Sequence, residues 1–121
     1  MICLVAGSKI APLLAGALTL AWTHSVEKTR WEEDWREVPA GLELVEARVQ
    51  GSGAGMEPPP GARLIEGMWR WRPDLSPLPE VVMRRSGATA DWQVCVAGGC
   101  RPMDHYVPAE ADPVIMRRCG G

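Results

Sequence analysis

Apolar and polar side chains alternate in twos along much of this chain. From Ala17 onward, Leu18, Leu20, Trp22, His24 and Val26 fall on one face, while Thr19, Ala21, Thr23, Ser25 and Glu27 fall on the other. A period of two marks a half-buried strand, because successive side chains leave a strand on opposite sides. The runs "ICLVAG", "KIAPLL" and "ALTLAW" read as short strands turned at Gly7-Ser8 and Ala15-Gly16. "WEEDWREV" fits either a strand or one helical stripe through Trp31, Trp35 and Val38. The short connection before it favours a hairpin with its turn at 28–30.

"LELVEARVQ" alternates in part, with Leu42, Leu44 and Glu46 on one side and Val45, Ala47 and Val49 on the other. "GSGAGMEPPPGA" is a loop, because its spaced glycines and triple proline suit neither a strand nor a helix interior. Further strands are expected at 64–72, 80–85, 92–97 and 100–103. Beyond Asp104 no period is visible. The expected architecture is all-β: a small antiparallel sandwich or partly closed barrel of about seven to nine short strands. It occupies 1–104 as a single domain, with an irregular, loosely packed tail over 105–121.

Composition narrows the picture. The chain has 121 residues, enough for one core. Eleven prolines and thirteen glycines speak against a helical bundle. A net charge of −2 with no basic run gives no electrostatic footprint for nucleic acid. "WRWR" at 69–72 reads instead as a strand with its tryptophans on one face. The apolar run from Ile10 to Trp22 is too short to span a bilayer, which takes ~20 residues, so no stable transmembrane segment is expected. Residues 1–17 could alternatively serve as a signal peptide and direct the protein to the periplasm. As strands they favour the cytoplasm.

The candidate chemistry concentrates at 21–35. A hairpin there brings His24, Glu27 and Glu33 towards one another, walled by Trp22 and Trp35. Such a cluster can be a structural hydrogen-bond network or a polar anchor for a small ligand or partner. It can also be an acid/base pair of His24 with Glu27 or Glu33. A single histidine in the region argues against a metal, and no cofactor is expected. Gly53 and Gly55 are candidate ligand contacts, although no helix follows them as a dinucleotide fingerprint requires, and a tight turn suits them better. Cys95 and Cys100 can form a disulfide if the hairpin turn is Ala97-Gly98, but not if it is Gly98-Gly99.

The run His24-Ser25-Val26-Glu27-Lys28-Thr29, followed by Glu33, Trp35 and "Gly51-Ser52-Gly53-Ala54-Gly55", resembles the bacterial and archaeal family catalogued as domain of unknown function 1850. The similarity covers roughly residues 1–104. It implies small proteins, some with an export signal or anchor, often encoded beside TAXI-type tripartite (TRAP) solute transporters. It also favours the hairpin reading of "WEEDWREV". On this resemblance the expected role is a non-enzymatic accessory module, with transporter components or a small molecule as partner. A small enzyme is the alternative.

Overall fold

A computed structural model describes residues 1–23, 29–51, 59–86 and 90–120. In chain order the strands are β1 (Ile2–Ala6), β2 (Lys9–Pro12), β3 (Ala17–Thr23), β4 (Arg30–Val38), β5 (Gly41–Gln50) and β6 (Arg63–Ile65). They continue with β7 (Met68–Trp71), β8 (Glu80–Met83), β9 (Gln93–Val96), β10 (Gly99–Pro102) and β11 (Val114–Arg118). All pairings are antiparallel. One sheet has the order β2-β1-β11-β8 and the other β10-β9-β3-β4-β5-β7-β6. The two are not closed into a barrel, and the fold is a β-sandwich.

The core lies between the sheets. Ile2 and Leu4 come from β1, and Met83, Val114 and Met116 complete the small-sheet side. Opposite them stand Leu18, Leu20, Trp35, Leu42, Leu44 and Val94. Each strand contributes alternate residues, as the pleat dictates.

Two tight turns build the outer hairpins. Glu66-Gly67 joins β6 to β7, and Ala97-Gly98 joins β9 to β10, with both residues of each pair at positive φ. That is the backbone twist two-residue hairpins favour, and glycine at the second position adopts it without strain. The stretch 64–72 is therefore a hairpin rather than the single strand its apolar content implied. Of the two registers open for Cys95, the turn at Ala97-Gly98 sets it opposite Cys100.

Gly41 shows a different use of glycine. A Cβ there would collide with the Leu78 carbonyl. Without one, the backbones of Leu42 and Leu78 exchange hydrogen bonds of 2.7 and 2.9 Å, which holds segment 73–79 across the start of β5.

Three expectations require correction. First, the expected loose tail over 105–121 is packed through its described residues, 105–120. β11 pairs with β1 on one side and β8 on the other, with Val114 and Met116 fully buried. Its two-residue period spans only five positions, and apolar Ile115 on the other face masks it. Ahead of β11, Arg85 fastens the chain by donating to the carbonyls of Pro108 and Ala111 at 2.6 and 2.9 Å. The Cys3–Cys119 disulfide ties β1 to the residue after β11.

Second, Glu46 does not share a side with Leu42 and Leu44. Asp34 faces Glu46 while Trp35 faces Leu44, so Val45 is an extra, bulged residue. The bulge shifts the phase, letting Leu42, Leu44, Ala47 and Val49 all face inward while Glu46 and Arg48 face out. Third, β3 ends at Thr23, paired with Arg30. Arg30 therefore belongs to β4 and not to a turn at 28–30, and residues 24–28 lie outside the described residues.

Candidate functional site

The β3–β4 register determines which side chains meet. Leu18 lies opposite Trp35, Leu20 opposite Glu33, and Trp22 opposite Trp31. All six occupy the inner face, because Leu18, Leu20 and Trp35 are core residues. The register carries on through β5 and β7, aligning Trp31 with Val49 and Trp69, and Glu33 with Ala47 and Trp71. Trp22 stacks on Trp31 at a ring separation of 6.1 Å, nearly parallel, and meets Trp92 at 4.8 Å. An aromatic wall therefore runs across one end of this face.

Glu33 stands in that wall. Along its own strand it is flanked by Trp31 and Trp35, and across the sheet by Leu20 and Ala47. Among the described residues its hydrogen-bond partner is Trp35, whose Nε1 donates to it at 3.2 Å, and no cation there pairs with it. Burial pushes its pKa up, and the indole hydrogen bond offsets this only in part. The carboxyl is thus costly to ionise, and it can either accept from a donor or cation or, when protonated, donate.

Of the residues expected to converge, Trp22, Glu33 and Trp35 share this face. His24, Glu27, Gly53 and Gly55 lie outside the described residues.

A family model described as "Domain of unknown function (DUF1850)" matches residues 18–103. The chain belongs to this family. No curated protein and no solved structure matches it. The DUF1850 span includes every strand of the seven-stranded sheet, whereas β1, β2 and β11 of the smaller sheet fall outside it.

The opposite face of the larger DUF1850 sheet holds chemistry that strand patterning alone did not expose. Arg48 is 8% exposed and donates to Glu32 at 2.8 Å, to Asp34 at 2.7 and 2.8 Å, and to Glu46 at 2.7 Å. Asp34 is held below the usual carboxylate range by hydrogen bonds from Arg48, against its burial. Burial pushes Glu32 up, but hydrogen bonds from Arg30 and Arg48 outweigh it and leave the group lowered. The guanidinium is in turn held more firmly protonated by Asp34. The bulge at Val45 is what turns Glu46 and Arg48 to this outer face while Leu42 and Leu44 stay inward.

Beside the network lies a cleft of about 600 Å³ between β3, β4 and the β9–β10 hairpin, lined by Thr19, Asp34, Arg36, Val45 and the Cys95–Cys100 disulfide. Among the described residues, no group of histidine, cysteine and acidic side chains is arranged to hold a metal. No helix there is long and apolar enough to cross a membrane.

Proposed function

We propose that this DUF1850 domain is a non-enzymatic binding module that recognises a small ligand or partner on the inner face of its larger sheet. Glu33 carries the reading. A half-buried carboxylate whose partner among the described residues is one indole weakens the fold at neutral pH, and a bound donor or cation would relieve that cost. The flat faces of Trp22 and Trp31 beside it suit an organic cation or a planar group.

The proposed setting is TAXI-type tripartite solute transport, and it rests on the family resemblance alone. Pairing of all four cysteines supports an oxidising compartment, the periplasm rather than the cytoplasm. The raised pKa of Glu33 also favours a second reading as a general acid. That alternative needs His24, which lies outside the described residues.

Glu33→Gln tests the binding reading. The folded-state pKa of Glu33 lies above its unfolded value. Its favourable contribution is therefore present at low pH and lost as pH rises through the folded value. The variant should melt higher than the native protein at pH 7, with the gain vanishing at low pH. It should also bind less of a TAXI-type solute-binding protein, or of a tetramethylammonium probe, in calorimetry. A variant that melts lower at pH 7, or that binds both as well as the native protein does, would refute the reading.

A further inference from the structure

We propose that the outer face of the β6–β7 edge is a binding site for a small molecule bearing an oxyanion, a carboxylate or a phosphate. It lies on the side of the sheet opposite Glu33 and stands independently of the reading above.

The charge balance at this edge is uneven. Arg63 lies directly across from Arg70, and Arg70 directly across from Arg48, so three guanidiniums form one row over β6, β7 and β5. Like charges placed opposite each other on neighbouring strands repel unless something neutralises them. Arg48 is neutralised by three carboxylates. Its two neighbours are not.

Among the described residues Arg70 pairs with Glu46 Oε1 at 3.3 Å, an oxygen that Arg48 already holds at 2.7 Å. Arg72 approaches Glu43 Oε1 at 3.8 Å, an oxygen Arg36 holds at 2.6 Å. Arg63 pairs with no carboxylate among the described residues. Arg30, Arg36, Arg48, Arg63, Arg70 and Arg72 thus meet only Glu32, Asp34, Glu43 and Glu46 among the described residues of this face, which leaves two positive charges in surplus at the β6–β7 edge.

The surplus surrounds a space. A cleft of about 310 Å³ is lined by Glu46, Gly61, Arg63, Ile65, Arg70 and Arg72. Arg70 lines it with a third of its side chain exposed. An acceptor oxygen there would give these arginines the partner that their shared carboxylates do not. Guanidinium forks match the two oxygens of a carboxylate or a phosphate. Ile65, exposed on the same face, offers an apolar contact for the body of the ligand. The volume is at the small end for ligand pockets, which limits the occupant to a small molecule.

The test follows the arginine Nε–Hε signals by NMR while the protein is titrated with inorganic phosphate, then with butyrate. Sodium chloride at matched ionic strength is the control. The expected result is saturable movement of the Arg63 and Arg70 signals with phosphate, butyrate or both, and none with chloride. Which probe saturates identifies the oxyanion. Arg63→Gln combined with Arg72→Gln changes two exposed side chains outside the core and should weaken binding by roughly tenfold or more, the equivalent of one lost charged contact. Arg101→Gln, on distant β10, should leave it unchanged. Movement that chloride reproduces, movement that never saturates, or equal affinity in the double variant would overturn the proposal.

Discussion

Replacing Arg48 with alanine removes four charged hydrogen bonds at once and leaves Glu32, Asp34 and Glu46 facing one another with no shared cation. Breaking a buried ion pair from one side costs about 3–5 kcal/mol. The lower end applies here, because the three acids keep 22%, 35% and 33% of their side-chain surface in water. For a chain of 121 residues, unfolding entropy of about 2.1 cal/mol/K per residue makes a loss of ~3 kcal/mol a fall of ~12 °C in Tm.

The loss should depend on pH with a definite sign. Asp34 and Glu32 have folded-state pKa values below their unfolded ones. Their contribution is therefore present above about pH 4 and disappears as pH falls through the lowered folded values. Alanine at 48 abolishes it. The gap between native and variant proteins should thus be widest near neutrality and narrow in acid. Urea unfolding followed by tryptophan fluorescence, with both disulfides intact, measures the gap at pH 7 and at pH 3. A loss below about 1 kcal/mol at pH 7, or a gap equally wide at both pH values, would refute the reasoning.

The two disulfides should differ in worth because they close loops of very different length. Sequence separations of 116 and 5 correspond, in the chain-entropy picture, to about 5 and about 2 kcal/mol. Cys3→Ser with Cys119→Ser should therefore destabilise more than Cys95→Ser with Cys100→Ser in the same urea assay, and the reverse order would contradict the picture. Met116→Ala should cost about 2–5 kcal/mol, because its side chain fills the core from a strand held on both edges. An unaffected midpoint would mean that β11 does not dock as described.

Much of the fold was legible because strands declare themselves locally. The alternation through Leu18, Leu20 and Trp22 located β3 and its buried face, and the glycine-marked turns separated its neighbours. The sequence pattern failed where a local rule was broken by something distant. Val45 looks like an ordinary strand residue, yet as a bulge it reverses the phase of β5 beyond it. Val114 to Arg118 is too brief to announce a period, and it becomes a strand because β1 and β8 present free edges on either side.

The candidate site divided along the same line. Trp22, Glu33 and Trp35 were recognisable as a polar–aromatic group on one face. That Glu33 lacks a cation among the described residues depends on the neighbours the register supplies, Leu20 and Ala47. The arginine row and the Arg48 network were invisible in the chain order, because residues of four different strands create them. Sequence by itself determined that this is an all-β chain and which side of most strands is apolar, since both follow from the two-residue geometry of the backbone. Tertiary structure alone decided the pairing of strands, and with it which charges are neutralised and which are left over, because electrostatic balance depends on separation in space and not along the chain.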